Sequence, residues 1–137
     1  MEFREATTDD LVEVSKTSIS RGLKEFPESI DRQWALSHEG VVLGVGGIKW
    51  LTPTTAWAWM DWAKAALDYK AVAIRLIRDF LRGLMNEDGM LRLMAAVDPA
   101  FPAAVRTAEA LGFKRESVMP KFFGDKPAIM YVLLPGE

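Results

Sequence analysis

The stretch Leu91–Val118, LRLMAAVDPAFPAAVRTAEALGFKRESV, constrains the fold of this chain most strongly. Leu91, Leu93, Ala95 and Val97 alternate with Arg92, Met94 and Ala96, which predicts a strand. Asp98 and Pro99 break it. Pro102 suits the first turn of a helix, where a missing N–H leaves no bond unmade, and Ala103–Leu111 are good helix formers. Gly112 follows the last apolar position, where a left-handed residue stops a helix, and Phe113 to Val118 is extended again. Strand, turn, helix, glycine stop and strand thus follow one another within this stretch.

The remaining elements are predicted from the same kinds of signal. Glu2–Glu5 sets Phe3 between polar neighbours, a first strand. Thr7 and Asp10 form a Thr-x-x-Asp start signal for a helix with Leu11, Val14, Ser15, Ser18 and Ile19 on one face, ending near Arg21-Gly22. Pro27 marks a break, and Glu28–Arg32 reads as a short second helix. Gln33–Leu51 reads as a hairpin whose turn is Ser37-His38-Glu39-Gly40 and whose return strand is Val41–Trp50. Leu51–Thr55 turns around Pro53. Ala56–Trp62 is the next strand, with Trp57, Trp59 and Asp61 on one face and Ala58, Met60 and Trp62 on the other. Core packing is one role for its indoles, and a groove wall for a flat or aliphatic ligand is another. Ala63–Asp68 connects to a helix over Tyr69–Met85, in which Ala73, Ile74, Ile77, Phe80, Leu81 and Leu84 recur at helical spacing. Asn86–Gly89 is a turn, Met119–Pro127 a loop and Ala128–Leu134 a final strand.

Composition narrows the function. The chain has 137 residues, half of them hydrophobic, which fits one domain over residues 1–137 around one core. A formal charge of −2 gives no footprint for duplex nucleic acid. The locally basic segment Lys114–Lys126 reads as a solvated face. With no cysteine, a thiolate nucleophile and a Cys-based zinc site are excluded, and a cytoplasmic location is expected. The start MEFREATTDD has no apolar core of a signal peptide, and no window reaches the ~18 apolar residues of a membrane span. Gly44, Gly46 and Gly47 lack the following helix and Lys-Ser/Thr pair of a phosphate loop, and fit a bulge or a close sheet contact better. His38, the sole histidine, is expected to be solvated at a hairpin tip.

Leu111, Gly112, Phe113, Lys114, Arg115 and Glu116 resemble the end of motif B of the GNAT superfamily of acyl-CoA-dependent N-acetyltransferases. That motif runs strand, an Asn opening a helix, a Tyr within it, then Leu-Gly-Phe, a basic residue and Glu. Counting back from Gly112, Phe101 stands where the Asn is expected and Ala108 where the Tyr is expected. The predicted order β, α, α, β, β, β, α, β, α, β, β is also the GNAT order. The resemblance implies an α/β (α+β) fold with a mixed central sheet of six to seven strands and helices on both faces. AWAWMDW, the glycine-free segment after it and AAVDPAFPAAVRTAEALGFKRE further resemble a divergent GNAT branch encoded by tailed bacteriophages. Some members of that branch are counted among virion or internal core proteins.

The resemblance also implies a site. Acetyl-CoA would lie between the parallel strands Ala56–Trp62 and Leu91–Val97, its pantetheine arm paired with main-chain groups of the first. Its pyrophosphate would sit on amides opening the next helix, where the helix dipole favours an anion. The cofactor contacts implied are Trp59, Met60, Asp61, Lys64, Lys70, Ala71 and Phe101. Family members usually carry Arg/Gln-x-x-Gly-x-Gly/Ala there, whereas Ala63–Ala73 contains no glycine. Asp98 is the first candidate base, with a turn Asp as its alternative, Asp61 is the second, and Tyr69 is a candidate displaced acid. The implied reaction moves an acetyl group to a primary amine of a small molecule or a protein. The contrasting expectation is a non-catalytic phage component with the same fold, in host cytoplasm or virion. Gly22–Asp31 and Met119–Lys126 would shape the acceptor pocket, and Trp50 with Phe122 and Phe123, if exposed, would mark a homodimer interface.

Overall fold

A computed structural model describes residues 1–18 and 31–136. The first strand, β1 (Glu2–Glu5), leads into α1 (Thr8–Lys16) through a complete capping box. The Asp10 N–H donates to Thr7 Oγ1 at 3.3 Å, and the Thr7 N–H donates to the Asp10 carboxylate at 2.7 Å. Arg4 donates to both oxygens of the same carboxylate, at 2.6 and 2.8 Å. That fork holds the Asp10 carboxyl well below the usual carboxylate range. The Arg4 hydrogen bonds are the largest cause, burial opposes them, and Thr7 adds to them.

The residues group into two compact units, Met1–Lys49 with Ala58–Ala73, and Trp50–Trp57 with Ile74–Glu137. In the first, β2 (Arg32–His38) pairs antiparallel with β1 and with β3 (Val41–Thr52). Glu39 and Gly40 both have positive φ, 51° and 80°, the requirement of a two-residue type I′ turn. The β2–β3 register slips between Leu36 and Ser37, because Leu36 faces Gly44 while Ser37 faces Val42. Leu43 is therefore the extra residue of a bulge. Val14, Ala35, Val45 and Ala63 form a buried cluster, with Ala6, Leu11, Val42 and Trp59 packed against it.

β4 (Thr55–Trp62) is followed by a 3-10 helix (Lys64–Asp68) and by α2 (Lys70–Asp88). In the second unit, β5 (Arg92–Val97) leads through a turn to α3 (Pro102–Ala110), then to β6 (Lys114–Phe123) and β7 (Lys126–Leu133). Gly112 sits at φ 97°, as a helix stop requires. The sheet is mixed and seven-stranded, in the order β1-β2-β3-β4-β5-β7-β6. β4 and β5 run parallel, β7 is antiparallel to β5, and β6 forms an edge antiparallel to β7. Leu93, Tyr131 and Leu133 are fully buried in this unit. Arg92 on β5 donates from both terminal nitrogens to Glu116 on β6, one bond being 2.8 Å and the other shorter.

Several predicted boundaries move. Ser18 is not on the face of α1, which ends at Lys16; it makes an isolated antiparallel bridge with Ala63. Ile19, the helix end at Arg21-Gly22, the break at Pro27 and residues 28–30 of the expected second helix lie outside the described residues, while Arg32 begins β2. Ala63–Asp68 is not a plain connection but contains the 3-10 helix, and α2 runs on through Asn86–Asp88 until Gly89 (φ 64°) stops it. Met119–Phe123 is strand, not loop. The β6–β7 register spreads between Met119↔Ala128 and Phe123↔Lys126, so the chain bulges around Pro120 and Lys121, whose φ is 54°. Pro, Gly and Lys mimic a loop signal here because an edge strand tolerates them. Phe122, 44 % exposed, lies edge-on to Phe123 at 5.0 Å and 6.3 Å from the Trp57 ring.

Two outcomes are expected. A carboxyl whose folded pKa is depressed stabilises fully above its unfolded pKa, ~3.9, and progressively less as pH falls toward the folded value. Asp10→Asn should therefore cost about 1–2 kcal/mol at pH 7. In urea titrations the gap to wild type should narrow by pH 3, and a gap equal at both pH values would refute the assignment. Separately, a Cβ on Gly47 would lie 2.6 Å from the Arg32 carbonyl oxygen, whereas one on Gly83 would meet nothing within 4 Å. Gly47→Ala should destabilise by about 1–3 kcal/mol, and Gly83→Ala in α2 should stabilise by roughly 0.5–1 kcal/mol.

Candidate functional site

The parallel ladder starts at the turn around Pro53. The Thr54 carbonyl accepts from Leu91 N–H at 2.8 Å and Arg92 N–H at 3.1 Å. The pairs Thr55↔Arg92, Ala56↔Leu93 and Trp57↔Met94 follow. β4 then continues through Ala58–Trp62 in the first unit.

Glycines on β3 set how closely β4 lies to it. A Cβ on Gly44 would be 3.1 Å from the Asp61 carbonyl oxygen, and one on Gly46 would be 3.0 Å from that of Trp59. A Cβ on Gly47 would also meet Trp59 Nε1 at 2.7 Å. The glycine cluster is thus a close sheet contact, as expected from the absent helix and Lys-Ser/Thr pair. Trp59 packs on the core cluster and Trp62 is buried, so these indoles build the core. Asp61 is 4 % exposed and accepts a short hydrogen bond from Ser18 Oγ.

β4 ends where the Ala63 N–H donates to the carbonyl of the bulge residue Leu43 at 2.9 Å. Lys64 N–H reaches Thr17 Oγ1 at 3.4 Å, and Ala66 is buried beneath the 3-10 helix. Tyr69 joins that helix to α2: its N–H donates to Ala66 O at 3.0 Å and its carbonyl accepts from Ala73 N–H at 2.9 Å. The N–H groups of Lys70, Ala71 and Val72 precede the first intrahelical bond of α2, and Tyr69 has no short side-chain oxygen to cap them. Ala71 and Val72 are exposed, as is Lys64, while Lys70 is half-buried. Asp68, also exposed, sets a negative charge beside the two lysines.

The remaining candidates lie in the second unit. Asp98 Oδ1 accepts from Ala100 N–H at 2.9 Å, and its carbonyl accepts from Phe101 N–H at 3.1 Å. Asp98 is thus the turn residue at the entrance to α3. Phe101 takes the N-cap position with φ −115° and makes no side-chain cap bond, and Ala108 is buried. The second tyrosine, Tyr131, is buried on β7; burial is the main cause that raises its pKa above the ordinary value.

The structure therefore gathers Trp59, Met60, Asp61, Lys64, Tyr69, Lys70 and Ala71 in one unit, and Asp98 and Phe101 in the other. Sequence reasoning missed Ser18, Thr17 and His38. His38 is not a solvated tip residue: it ends β2, and its ring lies edge-on to Tyr69 with centroids 4.8 Å apart. Only its position just before the turn hinted at this; the partners of Ser18 and Thr17 are 43 and 47 residues away in sequence.

No protein-family model and no curated protein matches the sequence. Solved structures match it as folds. A mutant of the spermidine N-acetyltransferase SpeG from Vibrio cholerae superposes with a TM-score of 0.78 at 14 % identity, covering 98 % of this chain and 95 % of that one. The structure of yncA from Salmonella typhimurium with its cofactor acetyl-CoA gives 0.75 at 17 % identity, over 100 % and 95 %. An acetyltransferase of the GNAT family from Bacillus anthracis gives 0.65 at 20 % identity, over 77 % and 67 %.

The geometry of Asp98 gives a direct test of its role as a turn residue. Asp98→Ala should lower stability by about 1 kcal/mol, and Asp98→Asn should retain it, because an amide oxygen can accept the same Ala100 N–H. Thermal melts of the two variants check this; equal losses would mean that the side-chain bond does not hold the turn.

Proposed function

We propose that this chain, whose fold is the GNAT acyl-CoA N-acyltransferase fold, is a member of that superfamily that binds acetyl-CoA and transfers its acetyl group to a primary amine. One observation carries the reading: a parallel strand pair is followed, on the β4 side, by a helix that opens at Tyr69, a residue with no short side-chain oxygen to bond its first amides. The pantetheine arm pairs with the main chain of β4 beyond Trp57. The pyrophosphate takes the N–H groups of Lys70, Ala71 and Val72, with Lys64 and Lys70 offsetting Asp68. Asp61, the buried carboxylate of β4, is the base. The amine nitrogen attacks the thioester carbon, the C–S bond breaks, the amine proton passes toward Asp61, and the leaving thiolate takes a proton from water. Ala108 has no proton to give. Tyr69, in contact with His38, serves the cofactor end rather than the leaving group.

The buried Ala108 and the non-capping Phe101 favour a second reading, a non-catalytic protein of this fold, such as a phage virion or host-interaction component. The two separate in one series. Acetyl-CoA at a hundred times its Kd should stabilise the wild type by about 2.7 kcal/mol, read as a rise in melting temperature that Lys70→Glu abolishes. With an amine panel, Asp61→Asn should lower kcat at least about a hundredfold while acetyl-CoA still binds. No shift at millimolar acetyl-CoA would end the transferase reading, and a shift with no turnover of any amine would favour the second.

A further inference from the structure

We infer that His38 is a positioning residue for the cofactor-binding helix start, acting through Tyr69. This rests on the acetyl-CoA reading above for its ligand, though not for its geometry. The end of the β2–β3 hairpin touches the β4–α2 connection at two points. At the near end, the extra residue of the bulge, Leu43, offers its carbonyl to Ala63 N–H at 2.9 Å, the residue that caps the 3-10 helix. At the far end, His38 meets the Tyr69 ring edge-on at 4.8 Å, with the two planes at 61°. Between those points lies all of Lys64–Asp68. Beyond them comes the first turn of α2, where the amides of Lys70, Ala71 and Val72 precede the first intrahelical bond, from Ala73 N–H to the Tyr69 carbonyl.

The hairpin end is suited to this work. Its two-residue turn fixes both central residues at positive φ, and the bulge at Leu43 resets the register just before His38, which is how bulges re-aim a side chain. Tyr69 has no side-chain role in capping α2, and its main chain is bonded on both sides, to Ala66 and Ala73. Tyr69 is 38 % exposed and the His38 side chain 29 %, so neither is needed to fill the core. The contact instead fixes the direction in which α2 begins. An edge-to-face pair needs ring shape rather than charge, so a phenylalanine should replace His38.

The test uses the full chain and three proteins: wild type, His38→Ala and His38→Phe. Calorimetric titration with acetyl-CoA should show affinity about three- to tenfold weaker for His38→Ala and restored for His38→Phe. The KM for acetyl-CoA should rise with kcat at saturation unchanged. Unliganded hydrogen exchange should quicken at the Tyr69 and Ala73 amides in His38→Ala and stay constant in β5 and β7. Wild-type affinity in His38→Ala, or failure of His38→Phe to rescue, would overturn the inference and leave the transferase reading standing. If wild type itself ignores acetyl-CoA, the transferase reading falls, and the exchange result alone decides whether His38 orders the helix start.

Discussion

β4 carries three indoles within eight residues, and two of them, Trp59 and Trp62, lie against glycines of the neighbouring β3. Where a side chain on β3 would strike the main chain or an indole of β4, β3 has only hydrogen to offer. The close approach puts Trp59 against the core cluster and buries Trp62 and Asp61. It also fixes where β4 ends, at the Ala63–Leu43 hydrogen bond, and so where the 3-10 helix and α2 begin. The candidate site inherits its geometry from this complementarity of bulk and gap between two strands.

The elements were legible where local chemistry decides them. Thr7 and Asp10 announced α1, Pro102 and Gly112 bracketed α3, and alternation marked β4 and β5. The sequence was silent where distant contacts decide. Ser18 leaves the helical face expected of it because Ala63 and Asp61 claim it from far along the chain. His38 looked like a tip residue because a turn signal does not reveal which of its residues still pair. The run Met119–Pro127 misled for a different reason: the residues that mark loops also mark protected edges.

For the candidate site, the start of the helix after β4 was legible, while the partners of its side chains were not. Asp98 was the first choice for a base, and its side chain is engaged at the entrance to α3. The strand, turn, helix and glycine stop of Leu91–Val118 form with Phe101 at the helix N-cap and Ala108 buried within the helix. A turn held by the Asp98 side chain leads into α3, which forms even though Phe101 contributes no cap bond. A fold does not by itself dictate the groups mounted on it.

The outer strand β6 leaves a long edge facing away from β7, with Val118 and Phe122 exposed along it. Pro120 has no N–H to offer, and Lys121 adopts a left-handed backbone that breaks the pleat. A neighbouring chain therefore finds no continuous row of donors and acceptors to copy. Growth of the sheet past these two residues would have to bridge a missing donor and a left-handed backbone, beside the exposed apolar side chain of Phe122.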